Sequence, residues 1–361
     1  MALSIGIVGL PNVGKSTLFN ALTSNNVLAA NYPFATIEPN TGIVPVPDPR
    51  LQQLSALYNN APIKPATVTF LDIAGLVAGA SQGEGLGNQF LANIRGTNAI
   101  AHVVRAFTDP DVQHVDEQHN PQKDIDVINT ELVLADLQTV ERRKPKLDKE
   151  AKANPKLKLL SDKLQRIYEV LNDGKPVLGT LEPSDWEGLE DLQLLTMKPV
   201  IYVFNVDDNG LGDIELQQKL AQLVAPSLSI FVCAKLEHEL QSLDAADQQE
   251  LLASYGVTES GLTQPIHAAY ETLGLQSYLT AGDKEVRAWT INRGATAPQA
   301  AGVIHGDFER GFIAADIVSF SDLVAAGSLS AARAAGKLRT EGKNYVMQSD
   351  DIVEFKFNVS K

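Results

Sequence analysis

A short apolar run, Leu3, Ile5, Ile7 and Val8, breaks at Gly9, and apolar positions resume over residues 17–22 at a spacing that fits a helix. The pattern predicts a strand, a tight loop and a helix. Further buried-type strands are expected at 42–46, 67–71, 100–104, 199–208 and 228–235. Strands that alternate with helices in this way build a mostly parallel sheet whose ligands gather at the strands' carboxyl ends.

A helical period interrupts that alternation. Leu132, Leu134, Leu137 and Val140 share one face, and Leu157, Leu160, Leu164, Ile167 and Leu171 repeat on another before Asn172-Asp173-Gly174 stops the run. Breaks at Pro145 and Pro155 predict two antiparallel helices joined by a tip. After about residue 276 the pattern changes again. Residues 286–291 alternate as a strand, 300–320 combine a short helix with extended stretches, and 345–347 and 352–357 read as strands joined by a turn at 348–351. The expected fold is α/β: a nucleotide-binding domain at 1–127 and 196–275, an inserted helical hairpin at 128–195, and a small α+β domain at 276–361.

The loop after the first strand supplies the chemistry. Gly9-Leu10-Pro11-Asn12-Val13-Gly14-Lys15-Ser16 fits G-x-x-x-x-G-K-[ST], in which backbone N–H groups point at an anion and the lysine adds charge over the β- and γ-phosphates. Ser16 can offer its hydroxyl to Mg²⁺. Thr36, in the proline-containing stretch 31–40, can complete the Mg²⁺ shell when a γ-phosphate is present. The strand at 67–71 delivers Asp72, placed to hold Mg²⁺ through water, and Gly75 can donate its N–H to the γ-phosphate. Small GTPases have a water-orienting Gln next, but Leu76 here has no hydrogen-bonding side chain. His114, in the polar stretch 108–124, is either the replacement or a solvated loop residue. No metal-ligand spacing is present there; His102 and the pair His305 and Asp307 read as structural.

Asn205-Val206-Asp207-Asp208 stands where guanine-specific proteins carry N-K-x-D, with Val206 replacing the lysine. A degraded motif predicts degraded discrimination between bases, so these residues leave the base open.

Charge and composition narrow the picture. Among 361 residues with net charge −14, residues 141–158 hold eight basic and three acidic side chains. This basic patch is either a solvated arm or a contact for a phosphate backbone. No uncharged apolar run reaches the ~18 residues of a membrane span, and a strand from residue 3 leaves no room for a signal peptide. The single cysteine, Cys233, agrees with a reducing, cytoplasmic setting.

Taken together, GLPNVGKST at 9–17, NYPFATIEPN at 31–40, DIAGLV at 72–77, GEGLGNQFL at 83–91, INTEL at 128–132, RGFIAADIVSF at 310–320 and the terminal GKNYVMQSDDIVEFKF resemble the Obg-like ATPase family known as YchF. The resemblance runs over essentially the full length. It implies a C-terminal TGS domain, which is a ubiquitin-like sheet, and a slow Mg²⁺-dependent ATPase that prefers ATP to GTP. It also implies association with the ribosome, as large subunit or whole particle, with RNA contacts through the hairpin and TGS domain. By position, Asn12, Val13, Gly14, Lys15, Ser16 and Thr17 would hold phosphates, Ser16 and Thr36 the Mg²⁺, and Val206 the base, while His114 would replace the missing Gln. One departure stands out: the family usually has N-x-x-E, and this chain has Asp208. A GTP-preferring translation-related GTPase and a nucleotide-regulated binding module are the alternatives.

Overall fold

A computed structural model describes residues 3–24, 40–73, 86–107, 120–240, 242–255, 257 and 260–358. The chain divides into two units, one formed by Met1–Val44 with Thr69–Ala269 and the other by Pro45–Val68 with Tyr270–Lys361.

The strands are β1 Leu3–Val8, β2 Asn40–Pro45, β3 Ile63–Lys64, β4 Thr67–Asp72, β5 Ala99–Ala106, β6 Val200–Val206, β7 Leu228–Val232, β8 Leu275–Ala281, β9 Val286–Asn292, β10 Phe312–Ser319, β11 Arg339–Glu341 and β12 Asp351–Phe357. In the first unit they form a sheet of order β2-β4-β1-β5-β6-β7, with β1, β5, β6 and β7 mutually parallel. β5 and β6 are buried along nearly their whole length, which explains why both read as continuous apolar runs rather than alternating ones. Parallel pairing brings the carboxyl ends of these strands to one edge.

Among the described residues, the α-helices as far as Leu240 are α1 Lys15–Ser24, α2 Pro49–Leu57, α3 Leu86–Arg95, α4 Pro121–Ala153, α5 Lys158–Asn172, α6 Ile214–Val224 and α7 Ala234–Leu240. α4 and α5 make the expected hairpin, but α4 starts at Pro121, capped by the Asn120 side chain on the Lys123 N–H, and runs unbroken through Pro145. A proline inside a helix costs about 3 kcal/mol. Fully buried Leu147, packed with Val140 against Leu164 and Ile167, offsets much of it. Lys144–Asp148 and Arg143–Glu150 pairs straddle the site, and Ser161 of α5 donates to Asp148 at 2.7 Å. The turn comes instead at Asn154-Pro155.

The base of the hairpin is pinned by buried Asp136 of α4, which accepts from the N–H groups of Leu195 and Thr196 and from the Thr196 hydroxyl at 2.7–2.8 Å. Arg95, ending α3, reaches the same place through Gln193 O and Thr139 Oγ1, both at 3.0 Å.

In the second unit the sheet order is β11-β10-β12-β8-β9-β3. Tyr278, Ile291, Phe312, Ile317, Met347 and Val353 form its core under the helix Ala297–Ile304, and the Tyr278 hydroxyl donates to Ala300 O at 2.9 Å. Two expectations need correcting. The expected nucleotide domain of 1–127 does not hold residues 45–68, because β3 pairs in parallel with β9 and α2 goes with it. Residues 345–347 form no strand; Val346 makes a single isolated bridge to Thr296. His305 caps a turn by accepting from the Asp307 N–H at 3.1 Å, which is a structural role.

Candidate functional site

The loop that follows β1 needs glycine for two separate reasons. Gly14 has φ +95°, a region that L side chains rarely adopt, and an added Cβ would collide with the Asn205 Nδ2 atom. Asn12 also has positive φ, at 60°, which asparagine tolerates better than most residues. Helix α1 starts at Lys15, so its unpaired N–H groups and positive dipole end face the loop.

Lys15 is 8% exposed and donates from Nζ to Leu10 O at 2.7 Å across the loop. Burial lowers its pKa to about 8, with the negative charge of Asp72 acting in the opposite direction. A desolvated ammonium of this kind interacts strongly with an incoming phosphate because little water screens it. Ser16 Oγ donates to Asp72 Oδ2 at 3.2 Å. The pair therefore brings a hydroxyl and a carboxylate together beside Lys15, an all-oxygen donor set that suits Mg²⁺, which keeps several waters and takes its other ligands from phosphate. Thr36, Gly75, Leu76 and His114 lie outside the described residues.

A cavity of about 580 Å³ opens here, lined by Asn12, Gly14, Lys15, Ser16 and Thr17 on one side and by Phe107, Asn205, Val206, Asp207, Asp208 and the start of α7 on the other. Asn205, expected at the base, acts as a brace between the two sides. Its Nδ2 donates to Val13 O at 2.9 Å and its Oδ1 accepts from the Ala234 N–H at 3.0 Å, both in buried surroundings. Asp207 caps its own turn by accepting from Gly210 N–H at 2.9 Å. Asp208 remains at the cavity wall.

Several wall residues escaped the sequence reading. Phe107 follows β5 directly, with the Arg105 guanidinium over its ring, 4.4 Å from the centroid. Cys233, Ala234, Lys235 and His238 come from the β7–α7 junction. The small Ala234 between a strand end and a helix start was the available signal. Glu237 of α7 is buried and tied to Ser260 Oγ at 2.6 Å and Gly261 N–H at 2.5 Å, which anchors that junction. His102 sits inside β5, its Nδ1 without a hydrogen-bond partner among the described residues; burial, reinforced by Lys15, lowers its pKa to about 3 and keeps the ring neutral.

Comparison with known proteins agrees with this geometry. The chain is 48% identical to the ribosome-binding ATPase YchF of Haemophilus influenzae over 363 residues, covering 99% of this chain and all of the relative. The chain belongs to the YchF family. The Bacillus subtilis ribosome-binding ATPase YchF is also 48% identical, over 366 residues with the same coverage. The solved structure of the Schizosaccharomyces pombe YchF GTPase superposes with a TM-score of 0.83 at 39% identity, covering 98% of this chain and 97% of that one. A family model described as "50S ribosome-binding GTPase" matches residues 4–145, and YchF-GTPase_C, described as a protein of unknown function (DUF933), matches residues 275–358. The YchF fold therefore comprises a P-loop nucleotide-binding domain and a C-terminal α/β domain. Among the described residues no helix is long and apolar enough to cross a membrane.

Proposed function

We propose that this protein is a cytoplasmic, Mg²⁺-dependent ATPase switch that binds and hydrolyses ATP in preference to GTP, slowly on its own, and associates with the ribosome. The observation that carries the reading is the juxtaposition of buried Lys15 with the Ser16–Asp72 pair, Lys15 and Ser16 lining the same cavity as Val206 and Asp208.

Lys15 and the loop amides would neutralise charge on the β- and γ-phosphates, with Asn12 to Thr17 as the cradle. Ser16 and Asp72, with Thr36, would hold the Mg²⁺, which would supply positive charge to offset the negative charge of the phosphates. Gly75 would donate to the γ-phosphate, and His114 would orient water in place of Leu76. Val206 in the lysine position supports ATP, as do relatives named ATPases. Asp208 favours the second reading, a GTP preference, because a carboxylate there matches guanine's donors.

The ribosome contact would run through the basic hairpin tip, with RNA as the partner of its lysines and the C-terminal domain adding surface. Relatives named ribosome-binding support this. The deciding experiment measures Mg²⁺-dependent phosphate release and equilibrium binding with ATP and GTP side by side. Tighter ATP binding with slow release of phosphate supports the proposal. A tenfold GTP preference, about 1.4 kcal/mol, makes the protein a GTPase, and binding without phosphate release makes it a nucleotide-regulated module.

A further inference from the structure

Two adjacent carboxylates follow β6 and line the cavity, each with one oxygen engaged. Asp207 accepts at Oδ1 from the Gly210 N–H of its own turn, and Asp208, at the Asp position of the base motif, accepts at Oδ1 from the Cys233 thiol, with Sγ 3.3 Å away. Among the described residues Oδ2 has no protein donor. The sulfur is itself fixed: Cys233 is 3% exposed at the end of β7, and the Leu236 N–H of α7 points at Sγ from 3.5 Å. Burial first, then the hydrogen bond to Asp208 and its charge, opposed by the Leu236 N–H, push the thiol's pKa up to about 12, so it stays an S–H donor at any ordinary pH.

We infer that Cys233 is a positioning residue for base selection, orienting Asp208 so that the carboxylate offers the base one unengaged oxygen rather than two. This deepens the nucleotide-binding reading of the same cavity and rests on it. The Watson–Crick edge of guanine presents two neighbouring donors, N1–H and the 2-amino group, which together ask for both oxygens of a carboxylate. Adenine presents a single 6-amino group beside an acceptor nitrogen. A carboxylate whose Oδ1 is engaged by a thiol and whose Oδ2 alone is unengaged matches adenine's single donor better than guanine's pair, and unpaired buried polar groups are what a site rejects. Asp208, taken alone, would favour guanine; Cys233 explains how the same residue serves an adenine-selecting site.

The test is the ratio of Kd values for ATP and GTP in parent, Cys233→Ala and Cys233→Ser, each first shown folded by thermal unfolding. Releasing Oδ1 in Cys233→Ala should move the ratio at least fivefold toward GTP, whereas Cys233→Ser, with a hydroxyl donor in the same place, should keep the parental ratio. If Cys233→Ala does not fold, Cys233→Val fills the volume without a donor and should show the same movement. A purely structural cysteine would weaken both nucleotides together, so a ratio within twofold of the parent overturns the inference. Equal shifts in Cys233→Ala and Cys233→Ser overturn it as well, because the donor would then be irrelevant. If the parent itself binds neither nucleotide, the reading of the cavity fails before the role of Cys233 is reached.

Discussion

Replacing Lys15 with Met should make the nucleotide-free protein more stable and the site useless. The ammonium is held in a desolvated place before any phosphate arrives, and its pKa falls from 10.5 to about 8. A lysine whose folded pKa lies below its unfolded value opposes folding wherever the folded state must carry the charge. The penalty is complete below about pH 8 and fades as pH rises toward 10.5, because over that window the unfolded chain binds the proton and the folded one does not. At roughly 1.4 kcal/mol per pH unit the penalty is about 3 kcal/mol. Removing Nζ also strips Leu10 O of its donor, a loss of about 1 kcal/mol, so the net gain at pH 7 should be about 2 kcal/mol. Urea unfolding of parent and Lys15→Met at pH 7 and pH 10, without nucleotide, reads the gain and its shrinkage at the higher pH; other titrating groups cancel in the difference. ATP affinity should fall by a factor of about 10 to 100 with the loss of charge-assisted phosphate contacts. If the variant is no more stable at pH 7, or its advantage is the same at pH 10, Lys15 is hydrated in solution and does not present phosphate with a desolvated charge.

Asn205→Ala should cost about 2–4 kcal/mol, since Val13 O and the Ala234 N–H would be left buried without partners; chemical denaturation measures it, and an unchanged midpoint would contradict the brace. Asp136→Ala should lose about 3 kcal/mol by orphaning the Leu195 and Thr196 N–H groups, while Asp136→Asn, which keeps an acceptor, should lose less. Because Arg143 and Lys144 are already paired within the hairpin, the informative charge reversals are Lys149, Lys152 and Lys156, all exposed; changed to Glu together, they should weaken ribosome cosedimentation and lower the salt slope by about 2–3. His114→Ala should reduce phosphate release with nucleotide affinity retained, and unchanged turnover would remove it from the mechanism.

What the sequence made legible was local. The phosphate loop is contiguous, and its glycines and Lys15 carry their roles in their own backbone preference and charge. The β5 and β6 strands were legible because burial on both faces leaves an unbroken apolar signature. Pro145 misled because a local propensity was overridden by distant packing: Leu147 is locked against a helix that begins eleven residues later. Residues 45–68 misled for a related reason. Two residues, Ile63 and Lys64, attach the segment to β9, and a pairing so short leaves no periodic trace.

The base motif shows why such limits fall on specificity in particular. The sequence shows 205–208 as a degraded base motif that leaves the base open, and the side chains of Asn205, Asp207 and Asp208 each close on something different: the phosphate loop with the start of α7, the Gly210 turn, and Cys233. What a carboxylate can accept depends on which of its oxygens is already bonded, and the donor here lies 25 residues on, at the end of the neighbouring strand. Parallel pairing of β6 with β7 creates that neighbour; nothing within 205–208 encodes it. Affinity for phosphate can thus be written in one loop, while the choice of base is written across two strand ends, and changing Cys233 should alter the choice with Asp208 untouched.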